Sequence, residues 1–518
     1  MEKQGLSSYY LMNKNTPLLS FCLDQNYGTE DIKLKISSIL SSTKDLLPFE
    51  LRDDLENNLL YWIRRRTSPI GQKLLDIINE ESQTSDSPLF LAETTLLLSL
   101  NDAFWIKPVA SNFLWEKVNL YHNTFNQTLS EIVFSANKFS SSIKEALKFG
   151  YRSPEFTSKG TLKKCWGRRE DSLFLLKEDT LNKNYNQSHA EWFAQQVASH
   201  LGLPHIVYDL ELYLHKNEEP RLVSSCEIFT NDNAGYIEAS RAFDIDSLFE
   251  KSGQMRMAKN MGWNFYSNMM FFDTLIGNTD RHSDNFGCLF DTNTGKIISP
   301  APLFDNGRSL FSTEDTSKKI NFDDWRYEHR GYFMTFKNQI AWFLNEKHNE
   351  MLESMSNFEF KQHPIYVIPD SIFNLLNEFI ADQVNFVKQN LDKKICIKGA
   401  NTYINLDNKI VSFINEQFLK YDSFLKIALT DENACVKICS KTICKIKSST
   451  DKEPNVSEIL NIARCVLALF NEKNCNDNFS YYSVAYNAAC EECSEDTIKM
   501  IEDLALKHGC KMEDLQKP

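Results

Sequence analysis

The sequence predicts an α+β protein whose first half mixes strands with helices and whose second half is mostly helical. Three observations predict it. Short apolar runs bounded by turn residues occur at Leu18-Leu19-Ser20-Phe21-Cys22-Leu23, at Ser172-Leu173-Phe174-Leu175-Leu176-Lys177 and from Val223 to Phe229, the pattern of strands. From about residue 250 the chain turns to long segments with helical apolar spacing. Hydrophobic content of 42% and charged content of 25% are those of a folded globular chain.

Taken in order, residues 1–110 read as a mixed α/β region. Asn13-Lys14-Asn15-Thr16-Pro17 is a turn before the first clear strand. Leu47-Pro48-Phe49 opens a helical stretch running through Leu60-Tyr61-Trp62-Ile63, and Asn101 to Pro108 reads as a turn, a short strand and a stop. Residues 150–235 form a small mixed lobe: a loop from Ser153 to Thr161, the strand ending on Lys177, a helix over His189–His200, and the strand from Val223. Residues 236–430 are mostly helical. Met255 to Leu275 is expected to be one long core helix. Phe286–Leu289 and Lys296–Ile298 bracket a turn at Asp291-Thr292-Asn293-Thr294-Gly295, and residues 371–390 make an amphipathic helix capped by Asp370 or Ser371. Lys445 to Pro454 is the linker candidate. Residues 455–518 carry three helical segments, Val456–Phe470, Tyr481–Glu491 and Asp496–Lys507.

The 518 residues suggest two to four domains. With 57 basic and 70 acidic residues the net charge is −13, which argues against a nucleic-acid-binding protein; direct nucleic-acid binding is not expected. The clusters Arg64-Arg65-Arg66 and Lys163-Lys164 with Arg168-Arg169 read as surface or phosphate contacts. No run approaches the roughly 20 apolar residues of a membrane span, and Met1-Glu2-Lys3-Gln4-Gly5 leads into no signal-like stretch. The expected location is the cytoplasm, with signal-independent secretion left open. Of 13 cysteines, nine lie from Cys396 to Cys510 at irregular spacing, which reads as free thiols rather than a zinc site.

The chemistry concentrates in Gly277-Asn278-Thr279-Asp280-Arg281-His282-Ser283-Asp284-Asn285-Phe286-Gly287, followed by Ala301-Pro302-Leu303-Phe304-Asp305-Asn306-Gly307. A carboxylate, an asparagine five positions on, and a second carboxylate beyond a hairpin form a residue set for phosphoryl transfer from Mg-bound ATP. Asp280 would orient or deprotonate the acceptor. Asn285 and Asp305 would hold the metal, with Asp284 as a weaker alternative. His282 would order the loop by hydrogen bonding to backbone carbonyls, and Arg281 would pair with a phosphate or a neighbouring carboxylate. A turn rich in Asn and Asp is the plain alternative. A calcium loop is disfavoured because Arg281 and His282 would sit inside it.

Upstream, Lys177 is the candidate clamp on the α and β phosphates, and Glu191, 14 residues later on a helix, would hold its ammonium. Ser158, Gly160 and Thr161 are candidates for a phosphate-covering turn. This stretch has a single glycine and matches neither G-x-G-x-x-G nor a P-loop. Glu227 to Phe229 is the candidate hinge, where adenine would meet the backbone.

The two segments resemble the HipA-like family of bacterial serine/threonine protein kinases, whose pattern is an N-x-D-R-H-x-x-N loop followed by P-L-[YF]-D. The likeness extends in weaker form from about 150 to 400. It implies a two-lobed protein-kinase-like fold with ATP between the lobes, here with an N-terminal α/β extension and a C-terminal helical appendage. It implies ATP- and Mg-dependent phosphorylation of serine or threonine on a protein substrate, commonly including autophosphorylation. Asp280 then corresponds to the catalytic aspartate, Asn285 and Asp305 to the Mg ligands, and Lys177 to the ATP lysine. Some family members are toxins paired with a DNA-binding antitoxin. The first 110 residues and the tail beyond about 430 depart from the toxin pattern, so an antitoxin-like partner stays open. D-R-H-x-x-N is also similar to the loop of phosphoinositide kinases, which makes a lipid or small-molecule kinase the alternative, followed by an ATP-binding scaffold without turnover.

Overall fold

The structure is a computed structural model of the 518-residue chain. It describes residues 7–25, 32–41, 44–66, 95–126, 134, 152–157, 162–178, 184–214, 220–243, 245 and 247–402, with backbone alone at 7, 24, 25, 32, 156 and 393–402. The chain divides into two compact units, Met1–Lys388 and Gln389–Pro518; everything below concerns the first unless stated. The linker candidate, the three C-terminal helices, the cysteine cluster from Cys396 and the phosphate-turn candidates Ser158, Gly160 and Thr161 lie outside the described residues, or outside those whose side chains are described.

Strand and helix mix as the sequence predicts. The first sheet is antiparallel, in the order β3-β2-β1-β4, from β1 (Ser7–Asn13), β2 (Thr16–Gln25), β3 (Ile32–Ile39) and β4 (Phe104–Pro108). Alternation puts Tyr9, Leu11, Leu19, Phe21 and Leu23 in its core, and helix α1 (Leu55–Arg65) follows β3. The β1–β2 turn reaches the 292–296 turn: Asn13 Nδ2 donates to the Thr292 carbonyl at 2.6 Å, and Lys14 Nζ to Asn293 at 2.7 Å.

The second sheet, in the order β5-β6-β8-β7, comprises β5 (Lys163–Arg169), β6 (Ser172–Glu178), β7 (Tyr208–Tyr213) and β8 (Arg221–Glu227). Helix α2 (Gln187–His200) packs against it. Asn186 caps α2 by accepting the His189 N–H, and the His189 ring accepts the Asn186 N–H in return, which satisfies two otherwise orphaned donors. Gln195 clamps Tyr208 through both backbone groups, at 2.6 and 2.8 Å. A three-stranded sheet, β11-β10-β9, joins β9 (Ala234–Glu238), β10 (Gly287–Asp291) and β11 (Ile297–Pro300). Its hairpin turns at the residues expected.

The helical part corrects one expectation. The single core helix predicted over Met255–Leu275 is two helices, α3 (Lys251–Met261) and α4 (Trp263–Ile276). Gly262 separates them with φ +88°, a backbone conformation that L side chains rarely adopt and that ends a helix. Helix α4 is buried on nearly every side, through Tyr266, Met269, Met270, Phe271, Phe272, Leu275 and Ile276. Helices α5 (Phe322–Glu328), α6 (Phe336–Phe343), α7 (His348–Ser354) and α8 (Asp370–Thr402) follow. Helix α8 opens at Asp370, and the Pro369 carbonyl accepts the first bonds, from the Ile372 and Phe373 N–H groups. Leu376, Phe379, Ile380, Val384 and Val387 form its buried stripe. Among the described residues no helix is long and apolar enough to cross a membrane.

Candidate functional site

Helix α4 delivers the chain into the Asp280 loop. Gly277 ends it in the left-handed conformation, φ +63°, and a β-carbon there would lie 2.7 Å from the Trp325 ring. A side chain is thus excluded twice, by backbone conformation and by space. The loop is then tied to the core by a network that the sequence reading did not find. Asp273, fully buried in α4, receives both Arg281 Nε at 3.0 Å and Arg281 Nη2 at 2.9 Å. Arg281 Nη1 also donates to the Asn285 carbonyl at 2.9 Å and the Phe304 carbonyl at 2.6 Å, and Nη2 to Asn306 Oδ1 at 2.6 Å. Asn278 Nδ2 donates to Asp273 at 3.0 Å. Of the two roles expected for Arg281, the carboxylate pairing is the one present. One guanidinium joins the helix, the Asp280 loop and the Asp305 segment. An isolated charge there would be costly, and the pair with its added hydrogen bonds offsets that cost.

On this base the expected site residues converge. Asp280, Asn285 and Asp305 line one cleft with Lys177, Glu227, Phe229 and His282, a space of about 800 Å³. Lys177, on β6, sets its Nζ 2.7 Å from Asp305 Oδ1 and 3.5 Å from Glu191 Oε1. Glu191 was expected to be the partner, but Asp305 is closer. Glu191 also accepts the Asn306 N–H at 2.9 Å, and Tyr208 Oη accepts the Asp305 N–H at 3.0 Å. Asp305 itself adopts φ +57°, an uncommon backbone conformation for a residue other than glycine and one often found at functional sites.

Two carboxylates thus compete for one ammonium. Burial pushes both carboxyls up. For Asp305 the adjacent Lys177 overrides burial and holds it well below the usual carboxylate range. For Glu191 burial wins and its carboxyl rises to about 7. Burial disfavours the charged form of Lys177, yet Asp305 and its neighbours hold it protonated well above the ordinary lysine value. Asp280 is raised by burial, against the opposing charge of Arg308 at 3.7 Å. A carboxylate shifted in this direction is a better proton acceptor.

The Asp280 loop is closed by its own side chains. Asn285 Nδ2 donates to the Asp280 carbonyl at 2.8 Å, and the His282 N–H donates to the same oxygen at 2.8 Å. The role expected for His282 needs correction: its ring Nδ1 accepts the Asp284 N–H at 3.2 Å instead of donating to a carbonyl. Asp284 accepts from Ser240 Oγ at 3.2 Å. At the hinge, the Ile228 N–H is committed to the Leu173 carbonyl at 2.9 Å, and the exposed Glu227 accepts from Ser172 Oγ.

Two further parts of the cleft were not singled out from sequence. Leu175, Ile206 and Phe304 join the hinge candidate Phe229 in an apolar wall, suited to one face of a flat ring. Lys164, read from sequence as a surface or phosphate contact, is buried in the cleft as the cross-strand neighbour of Lys177. Burial, and then the charge of Lys177, lower it to about 8. Among the described residues no group of three or more His, Cys, Asp or Glu is placed to hold a metal. Asn285 and Asp305 offer one amide and one carboxylate, hard oxygen donors that fit magnesium when phosphates and water complete its shell.

No family model matches the chain, and no curated protein matches it. Among solved structures, it is similar to the Helicobacter pylori proinflammatory kinase CtkA, at 18% identity and a TM-score of 0.32 over 46% of this chain and 92% of that one. It is also similar to a chain of the Shewanella oneidensis MR-1 toxin–antitoxin complex of HipA, HipB and operator DNA, at 11% identity and a TM-score of 0.45 over 75% of this chain and 99% of that one.

Proposed function

We propose that the chain is an ATP- and Mg-dependent serine/threonine protein kinase of two-lobed, HipA-like architecture, able to phosphorylate itself. The observation that carries the proposal is the convergence of Lys177, Asp305, Asn285 and Asp280 in one cleft beside an apolar wall. In this reading the nucleotide base lies against Leu175, Ile206, Phe229 and Phe304. Lys177, with Lys164 beside it, faces the phosphates. Asn285 and Asp305 hold the magnesium, which when bound neutralises phosphate charge. Asp280 orients the acceptor hydroxyl and takes its proton.

The test is intact-mass measurement and peptide mapping of wild type and Asp280→Ala after incubation with Mg-ATP. Wild type is expected to gain 80 Da (~80 per phosphate) on Ser or Thr, and the variant to be slower by roughly 10²–10⁴-fold. Phosphate gain at an equal rate in both would remove Asp280 from the chemistry. Transfer to an inositol lipid and to no protein would replace this reading with the lipid-kinase one.

A further inference from the structure

On the protein-kinase reading above, we infer that the exposed ring pair Phe249–Tyr332 is a docking shelf for the substrate polypeptide. The shelf receives a large apolar side chain of an extended segment whose serine or threonine reaches Asp280. The two rings lie 5.9 Å apart between centroids, and Phe249 is 61% and Tyr332 41% exposed. Phe333 supports them from beneath: it is buried and meets Phe249 at 5.3 Å and Tyr332 at 5.0 Å, both edge to face. The strip is fixed by neighbouring contacts. Gly331 lies so close to the Gln339 amide that a β-carbon would collide with it, and Gln339 accepts from Thr274 of helix α4 at 2.7 Å. The helix that delivers the Asp280 loop therefore also holds the shelf, and a preorganised surface binds with less ordering cost.

The shelf is continuous with the acceptor site. Tyr332 packs on the His282 ring at 5.5 Å, and His282 donates its N–H to the Asp280 carbonyl two residues earlier. The path Asp280–His282–Tyr332–Phe249 corresponds to about two to four residues of extended chain at roughly 3.3–3.6 Å each. Aromatic side chains are enriched among the residues that anchor interfaces. Their size selects the occupant. Two partly exposed rings offer on the order of 200 Å², the scale of one large side chain and a small part of the roughly 1,200 Å² of a stable dimer interface, which favours a single peptide side chain as the occupant.

The experiment is phosphorylation of a positional-scanning Ser/Thr peptide library by the full chain with Mg-ATP, comparing wild type, Phe249→Ala, Tyr332→Ala and the conservative Phe249→Leu. Wild type is expected to select Leu, Ile, Met or Phe at one position about two to four residues from the acceptor. Either alanine variant should lower kcat/KM for the best peptide about 10- to 30-fold through KM, and Phe249→Leu should restore most of it. Affinity for a fluorescent ATP analogue should not change, which separates docking from loss of fold. Absence of apolar selection, or its retention in both alanine variants, overturns the shelf while autophosphorylation keeps the kinase reading standing. Concentration-dependent dimerisation abolished by Phe249→Ala would assign the rings to a second copy and overturn the shelf. Phosphate transfer to inositol lipid alone would overturn the kinase reading and the shelf together.

Discussion

The two buried ion pairs of the site differ in how completely they are satisfied. Arg281 and Asp273 are both almost wholly inaccessible, and the guanidinium spends its remaining donors on two carbonyls and an asparagine. Lys177 faces the cleft, where it is shared between Asp305 and Glu191, and the Asp305 side chain is 36% exposed. The first pair has a fixed set of partners and belongs to the fold. The second has two carboxylates for one cation and an open side, so its partners can be exchanged. On the kinase reading proposed above, this division gives a rigid base and an adjustable ammonium.

The strongest way to break this comparison is to remove Arg281. Arg281→Ala leaves Asp273 charged with no ionic partner in the core and the Asn285 and Phe304 carbonyls without their donor. The expected loss is about 3–5 kcal/mol of folding stability, read by urea denaturation. An effect below about 1 kcal/mol would show that the pair is not the anchor its geometry describes.

Lys177→Met should divide the other way. Glu191 can take up a proton and Asp305 is open to solvent on one side, so the expected stability change is only about 1–2 kcal/mol. Phosphate transfer should fall roughly 10- to 100-fold, the scale of lost charge-assisted contacts, measured as kcat/KM for ATP. Equal losses in stability and transfer in both variants would erase the distinction between a structural pair and an exchangeable one.

These two pairs also mark what the sequence could disclose. That Asp280, Asn285 and Asp305 share one cleft was legible because all three sit in two short contiguous segments of suggestive spacing. Lys177 and Glu191 were legible as a strand-end lysine with a carboxylate on the next helix, and the structure brings them into contact. Asp273 was missed although a signal existed: a single carboxylate inside the apolar run Met269-Met270-Phe271-Phe272-Asp273-Thr274-Leu275-Ile276 requires a buried partner. Gly262 offered a similar signal within the predicted helix. The burial of Lys164 and the joining of Leu175, Ile206 and Phe304 to Phe229 had no local signal. Lys164 enters the cleft through strand register, and Ile206 and Phe304 meet there because the 204–206 segment pairs with Leu303, the Ile206 N–H donating to its carbonyl at 2.9 Å. Such juxtapositions are tertiary and leave no periodic trace. Arg281 shows the remaining limit: its residue type was read correctly, while the choice between phosphate and carboxylate depended on which way the loop faced.

The finest test of the shared lysine is its pH response. Glu191 has a carboxyl raised by burial to about 7, against 4.5 ordinarily. Because the folded state holds this proton more tightly than the unfolded chain does, the group's stabilising contribution is fully present below about 4.5 and is lost as pH rises toward 7. Asp305 has the opposite sign: its depressed pKa contributes stability above the ordinary carboxylate range, lost only in strong acid. The two carboxylates around Lys177 therefore tilt the stability profile in opposite senses, in separate pH windows. Glu191→Gln cannot titrate and should flatten the downward slope between about 4.5 and 7 while leaving the acid limb in place. The measurement is the unfolding midpoint of wild type and variant at half-unit steps across that interval. Parallel profiles would mean that Glu191 is already charged at the bottom of the window and that Lys177 serves both carboxylates equally. A flattened profile would assign the ammonium to Asp305 and leave Glu191 as the reserve acceptor.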